Sequence, residues 1–168
     1  MWTVRQLAQV LASGRTTSRQ LVDTALERIA DPKGEGARAF LKTYADTARA
    51  DADYADALRR AGVTRSPIDG LPISVKDLYD VAGDVTRAGS KVLELRPTAD
   101  APAVARLRAA GAILIGRTNM VEFAFGGLGL NPHYGTPRGP WDRTTGRVPG
   151  GSSSGAGVAQ ADGMCVMA

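Results

Sequence analysis

A short apolar run, AILIG at residues 112–116, constrains the fold of this chain more than any other segment. It follows a helical pattern that opens at Asp100 and Pro102 and closes at Gly111. Proline suits the first turn of a helix and glycine suits its end, while a brief apolar run without alternation is typical of a buried strand. The order of helix, glycine and buried strand is the second half of a βαβ unit, and it predicts an α/β fold.

Apolar spacing predicts further elements on either side of that unit. Thr3 is placed to cap the first helix and Gly14 to stop it, and Thr17 or Ser18 is placed to cap the second. The predicted helices cover 3–13, 16–29, 45–61 and 155–163, and the predicted strands are 37–44, PISVKDLYDV with its exit at 72–81, and MCVMA at 164–168. NMVEFAF is a short helix at most, and the Gly-, Pro- and Ser-rich stretch 126–157 is a long loop of the kind that is usually functional.

The sequence ends within the apolar run MCVMA. A complete domain seldom ends inside a buried strand, so we expect the chain to be the N-terminal portion of a longer fold. A strand without its neighbour exposes an unpaired edge and an apolar patch, which favours aggregation, dimerisation or domain swapping. A homodimer and a complementing C-terminal half are therefore both candidate partners.

Composition excludes several classes of protein. A single cysteine, Cys165, allows no internal disulfide, and with one histidine, His133, it gives little basis for a metal site. The net charge is +4, but the basic residues are scattered and aromatics make up only 5%. We therefore predict a cytoplasmic protein with no metal, no cofactor and no nucleic-acid partner. No apolar stretch is long enough for a transmembrane helix, so no membrane association is predicted.

Lys76, in the apolar strand ISVKDL, is the first candidate for chemistry. A lysine at the edge of a core loses hydration, its pKa falls, and its neutral amine can act as a base. The two-residue period of a strand directs Asp77 to the opposite face, so Asp77 is not automatically its ion-pair partner. The alternative is a lysine on an edge strand whose amine reaches out to water, and the residue taken alone favours that alternative.

The second candidate is the loop VPGGSSSGAGV at 148–158, where glycines flank three serines ahead of a helix. Such hydroxyls suit a proton relay or an anion cradle. The phosphate-binding motifs do not fit, because no lysine follows the last glycine and GAGVAQ ends in Gln160. A flexible Gly/Ser loop is the remaining alternative. His133 lies in NPHYG with no G-x-S-x-G motif in the chain, which indicates a surface or turn histidine.

Four segments in order, GLPISVKDLYDVAG, PAVARLRAAGAILIGRTNMVEFAFG, NPHYGTPRGPWD and RVPGGSSSGAGVA, resemble the amidase signature family. The resemblance spans roughly residues 1–168, and VKD and GGSSSG are its most specific elements. It implies the N-terminal portion of the amidase-signature fold, with a mixed central sheet flanked by helices. We expect one partial domain over 1–168, with N-terminal helices in 1–62 and the sheet with the candidate residues in 63–168.

The resemblance also implies a catalytic site built on a Ser-Ser-Lys triad. Lys76 matches the family lysine, and Ser152 matches the bridging serine, which in the family follows a cis peptide bond, here Gly151–Ser152. Ser153 would support the network through its own hydroxyl. The residues that resemble the loop lining the family's substrate pocket are Gly126, Gly127 and Leu128.

The implied activity is hydrolysis of a small-molecule carboxamide to a carboxylic acid and ammonia or an amine. The family's nucleophilic serine lies in a second Gly-Gly-Ser motif further along, and residues 1–168 contain none. We therefore expect this chain alone to be inactive. Two alternatives stay open: a protein resembling the amidotransferase component that supplies ammonia for charging tRNA with glutamine, and a non-catalytic binding module on the same scaffold.

Overall fold

The computed structural model of the chain describes residues 3–168. The helices are α1 (Val4–Ala12), α2 (Ser18–Ala30), α3 (Gly36–Ala39), α4 (Ala45–Arg60), α5 (Pro102–Ala109) and α6 (Ser154–Ala161), the strands are β1 (Phe40–Thr43), β2 (Pro72–Lys76) and β3 (Ile113–Thr118), and a 3₁₀ turn covers Glu122–Ala124. Nearly every predicted element is therefore present. Among the residues described, no helix is both long and apolar enough to cross a bilayer.

Local sequence signals set the start of the first two helices. The Thr3 side chain accepts a hydrogen bond from the Gln6 amide while the Gln6 side chain accepts one from the Thr3 amide, which is a capping box. Thr17 and Gln20 repeat the arrangement at α2, so Thr17 rather than Ser18 is the cap. The capping residues that the sequence predicted are thereby confirmed.

The strand predicted over 37–44 begins only at Phe40, and that part of the prediction is wrong. Residues 36–39 form the helical turn α3 instead. Gly36 approaches the backbone of Ile29 so closely that a side chain on Gly36 would overlap it. The turn is therefore set by packing against the end of α2, which no local strand pattern reveals.

The strands form one mixed sheet in the order β1-β3-β2, with β1 antiparallel and β2 parallel to β3. The parallel pair is the βαβ unit that the run at 112–116 predicted, and α5 lies in its connection. In the register of this pair Lys76 lies opposite Thr118. Both strands consequently end in the same row, and this is the edge at which α/β proteins place their binding sites.

Helices cover both faces of the sheet, as expected. Ile113 and Ile115 pack with apolar residues of α2, α4 and α6, while Leu114 and Val75 pack with Val104 of α5 on the other face. Each such side chain contributes about 1.5–3 kcal/mol when it is fully buried. The end of β2 is therefore held between two packed layers.

The run MCVMA was predicted as a strand. It forms a single parallel bridge, between Ile73 and Met167, and does not extend into a ladder. The Ser74 amide donates to the Met167 carbonyl at 3.0 Å, and the Val166 amide donates to the Pro72 carbonyl at 2.9 Å. This segment therefore lies along the side of β2 that faces away from β3.

Candidate active site

Lys76 and Ser152, which lie 76 residues apart in sequence, meet at the carboxyl end of β2. The distance between Lys76 Nζ and Ser152 Oγ is 2.6 Å, within hydrogen-bonding range. Burial lowers the pKa of the Lys76 amine from its usual value, since a charged amine loses hydration there. The neutral form, which alone can accept a proton, is therefore more populated than in a lysine exposed to water.

The contact arises because α6 begins at the end of β3. Asn119 directly follows β3, and its carbonyl accepts a hydrogen bond from the Gly155 amide at 2.9 Å. A Cβ on Gly155 would lie 2.6 Å from the Asn119 amide nitrogen and would overlap the Ala39 carbonyl, so only glycine permits this approach. Since β3 and β2 end in the same row, Ser152, which lies just ahead of α6, is brought beside Lys76.

Backbone contacts fix the turn that carries Ser152. The Gly151–Ser152 peptide bond is cis. The Ser152 carbonyl accepts from the Val121 amide at 2.9 Å, and the Gly151 amide donates to the Gly127 carbonyl at 2.8 Å. A Cβ on Gly151 would lie 2.7 Å from the Gly129 amide nitrogen. The loop containing Gly127 thus packs backbone to backbone against the turn.

The remaining predicted site residues surround this contact. Gly126 and Gly127 lie in the loop that backs Gly151, and Leu128 in the same loop is 60% exposed. Ser153 is the N-cap residue of α6, and its exposed side chain makes no capping hydrogen bond. The exposed side chain of Leu128 gives the loop next to the serine turn an uncovered apolar surface.

Behind Lys76 lies a buried ion cluster that sequence analysis missed. Arg117 is 2% exposed, and its Nε lies 3.3 Å from Asp77 Oδ1 and 3.4 Å from Asp84 Oδ2. The same guanidinium donates to the Tyr79 carbonyl at 2.7 and 2.9 Å and to Thr86 Oγ1 at 2.8 Å. Asp77 thus pairs with Arg117 and not with Lys76, in agreement with the predicted alternation along the strand.

Two more groups complete this cluster through Asp84. Lys42 Nζ lies 2.6 Å from Asp84 Oδ1, and the Tyr44 hydroxyl donates to Asp84 Oδ2. Burial raises the pKa of Asp77 and of Tyr44. Burial also disfavours the charged form of Asp84, but hydrogen bonds from Lys42 and Tyr44 hold the pKa of that carboxyl below its usual value. Two cations and two carboxylates make the cluster neutral overall.

Glu122 joins three loops beside the serine turn. Its Oε1 accepts a hydrogen bond from Ser90 Oγ at 2.6 Å and lies 2.9 Å from His133 Nε2. The His133 amide donates to Asn131 Oδ1 at 2.8 Å, and His133 lies in a turn, which confirms its predicted setting. Ser90 and His133 both contact the carboxylate, which is not the arrangement of a histidine-activated serine.

Glu35 anchors the long loop that leads to the serine turn. It is 1% exposed and accepts hydrogen bonds from the amide and the Nε of Arg138 at 3.0 and 2.8 Å, and from Arg38. Burial raises the pKa of Glu35, but these hydrogen bonds outweigh it and lower the pKa to about 2. A second anchor is Arg143, whose Nη2 donates to both carboxylate oxygens of Asp162 at 2.7 and 2.8 Å.

The contact at the end of β2 thus joins Lys76 and Ser152, the two residues that the resemblance matched to the family's lysine and bridging serine. The chain belongs to the amidase family, whose model, Amidase, matches residues 20–168. It is 45% identical over 160 residues to AtzE, the 1-carboxybiuret hydrolase component of Pseudomonas sp. (strain ADP), covering 94% of this chain and 34% of that protein. It is 46% identical over 162 residues to the A subunit of glutamyl-tRNA(Gln) amidotransferase from Roseiflexus sp. (strain RS-1), covering 96% and 32%.

Solved structures agree with this assignment. Native peptide amidase from Stenotrophomonas maltophilia superposes with a TM-score of 0.83 at 36% identity, covering 97% of this chain and 34% of that chain. A vestigial protein complex that reveals the origins of an s-triazine catabolic enzyme gives 0.89 at 43% identity, covering 98% and 36%. The amidase-signature fold is confirmed, and the chain spans about a third of the length of the curated relatives it matches.

Proposed function

We propose that this chain carries the proton relay of a Ser-Ser-Lys amidase site, with Lys76 as base and Ser152 as bridging hydroxyl. The observation that carries the proposal is the 2.6 Å separation of Lys76 Nζ and Ser152 Oγ at the carboxyl ends of two parallel strands. The lowered pKa of Lys76, caused by burial, supports it. Membership of the amidase family supports amide hydrolysis as the class of reaction.

In the proposed reaction, the neutral amine of Lys76 accepts the proton of Ser152. The Ser152 oxygen in turn takes the proton of a nucleophilic serine as that serine attacks the amide carbonyl. The tetrahedral oxyanion is held by backbone N–H groups, and the leaving amine receives the proton by the same path. Water then cleaves the acyl-enzyme to the carboxylic acid. Ser153 supports Ser152 in this relay.

The nucleophile is the part of the proposed site that residues 1–168 do not contain, since GGS occurs once, at Gly150–Ser152. We propose that the chain alone does not turn over amides and that a complementing part of the fold supplies this serine. The substrate is a small carboxamide in the cytoplasm, lying against a loop formed by Gly126, Gly127 and Leu128. The exposure of Leu128 supports an apolar wall at that position.

A second candidate is an ammonia-releasing protein that resembles the A subunit of glutamyl-tRNA(Gln) amidotransferase. It is favoured by relatives of that name at 39–46% identity. The identity to AtzE is 45%, so sequence identity does not rank one candidate above the other. Both candidates use the same relay and differ in the amide they accept. Glutamine would then be the substrate that distinguishes them.

The first test incubates the purified chain with simple amides, including glutamine, and with a serine-reactive fluorophosphonate. We expect neither ammonia release nor labelled serine. Turnover that Lys76→Ala abolishes would contradict the proposed inactivity while supporting the relay. Turnover that Lys76→Ala leaves intact would contradict the relay itself.

The second test supplies the missing serine from a relative. Residues 1–168 replace the matching third of AtzE, and hydrolysis of 1-carboxybiuret by the chimera is measured. We expect activity that falls at least about a thousandfold in Lys76→Ala and in Ser152→Ala, because triad members act as a unit. Lys33→Ala, at an exposed loop lysine, is the matched control and should leave activity unchanged. A folded but inactive parent chimera would favour the non-catalytic module.

A further inference from the structure

The carboxylate that follows Lys76 presents an electrostatic problem for a lysine base. Asp77 is 2% exposed, and it is adjacent to Lys76 in the chain. An uncompensated negative charge near an amine stabilises the protonated amine, which cannot accept a proton. A base at Lys76 therefore needs the Asp77 charge to be neutralised by another group.

Strand register places that group. Val75 pairs with Arg117 and Lys76 pairs with Thr118, so Arg117 shares a sheet face with Val75 and Lys76 lies on the other face. Asp77, two residues after Val75, returns to the face of Arg117, and the atoms of the pair lie 3.3 Å apart. The ion pair and the amine are thus on opposite sides of the strand.

Arg117 also holds the segment that leaves β2. Its guanidinium donates to the Tyr79 carbonyl and to Thr86 Oγ1, and it lies 3.4 Å from Asp84. The Asp77 carboxylate itself accepts from the Gly89 amide at 2.9 Å. One buried side chain therefore contacts several points along residues 77–86, directly after the lysine.

We propose that Arg117 is a positioning residue for Lys76, neutralising the Asp77 carboxylate and holding the turn after β2 so that the amine faces Ser152 with no bare charge behind it. This inference rests on the proposed function of Lys76 as a base. The other ionisable groups packed around the cluster are Lys42, Tyr44, Asp80, Asp84, Arg108, Tyr134 and the partly exposed pair of Arg87 with Glu94.

The test measures the titration of Lys76 directly. The chain has four lysines, so trace labelling with acetic anhydride across a range of pH, followed by peptide mass spectrometry, gives each an apparent pKa. We expect wild-type Lys76 to titrate below the exposed Lys33. In Arg117→Met the apparent pKa of Lys76 should rise by about one unit, a roughly tenfold loss of neutral amine. Removing both charges, in Arg117→Met with Asp77→Asn, should return it towards the wild-type value.

A purely structural role gives a different pattern. If Arg117 only holds the turn, Arg117→Met and the double variant both expose Lys76 and raise its apparent pKa equally. That result would overturn the inference. Asp77→Asn and Arg117→Lys keep the site free of net negative charge, so neither should raise the titration of Lys76. These two variants decide the question if Arg117→Met does not fold, as judged by circular dichroism, and a rise in either overturns the inference.

The same measurement separates the two proposals. Wild-type Lys76 titrating like Lys33 would overturn the proposed relay. A wild-type titration that lies below that of Lys33 but is unchanged in folded Arg117→Met would overturn the positioning role alone.

Discussion

Lys76 and Ser152 meet at one point but are held there by different means. The segment after Lys76 is fixed by buried charged side chains, with Arg117 between Asp77 and Asp84. The turn carrying Ser152 is fixed by backbone contacts, and Gly155 allows the close approach of α6 to Asn119. The lysine side is therefore sensitive to the loss of side chains, and the serine side is sensitive to their addition.

The difference follows from what each group must do. A lysine base depends on its electrostatic surroundings, and only side chains supply tunable charge. A bridging hydroxyl depends mainly on direction, which a rigid backbone turn provides. The free energy of unfolding of selected variants tests this contrast.

Arg117→Met should be the most damaging substitution on the lysine side. It leaves Asp77 buried without its cation and Asp84 with Lys42 alone, and breaking a buried pair costs about 3–5 kcal/mol. Urea unfolding measures the loss. Arg87→Met is the matched control, since the pair of Arg87 with Glu94 is partly exposed and should contribute about 1 kcal/mol or less. Equal losses in the two variants would contradict the role of burial.

Glu35 anchors the long loop ahead of the serine turn, not the turn itself, and it should make stability depend on pH. The folded pKa of about 2 lies below the usual value for a glutamate. The stabilisation is therefore fully present above about pH 4.5 and is lost as pH falls towards 2, up to about 3 kcal/mol. Glu35→Gln should flatten this part of the profile, whereas Glu94→Gln, at a partly exposed pair, should leave its shape unchanged. An unchanged profile in Glu35→Gln would refute the assignment.

Adding a methyl group should separate the two glycines of α6. Gly155→Ala places a Cβ against the backbone of Asn119 and should cost about 1–3 kcal/mol, as overpacking does. Gly157→Ala meets nothing within 4 Å and should stabilise the helix by about 0.5–1 kcal/mol. Thermal denaturation measures both changes. Effects of the same sign would argue against close approach as the constraint.

Lys76→Met should give the smallest change, and in the opposite direction. Removing a partly buried amine relieves its lost hydration, so stability should rise by up to about 1 kcal/mol. Lys33→Met, in an exposed loop, provides the baseline. A clear loss of stability would mean that the contact with Ser152 stabilises the fold. That outcome would contradict the expectation that burying the Lys76 amine lowers the free energy of unfolding.

The elements that could be predicted from sequence are those with local causes. The caps at Thr3 and Thr17 and the pair of Pro102 and Gly111 act within one helix each. The helical turn α3 escaped prediction because it depends on contact between Gly36 and the distant backbone of Ile29.

The candidate site was less accessible to sequence reasoning. Residue patterns alone favoured a solvated Lys76, and only the family resemblance joined it to Ser152, because their contact depends on the register of β2 and β3. Nothing in the alternation of residues marks Arg117 as buried. The one available signal was its place directly after the apolar run AILIG, where a charged residue requires a buried partner.

The hydrogen bonds of Glu122 have a practical consequence. Because His133 is the one histidine of the sequence, its imidazole gives an isolated proton NMR signal. That ring touches a carboxylate which also binds Ser90, and the adjacent Val121 amide binds the Ser152 carbonyl. The chemical shift of this one imidazole therefore reports whether the loops around the serine turn are in contact, in the wild-type chain and in each variant.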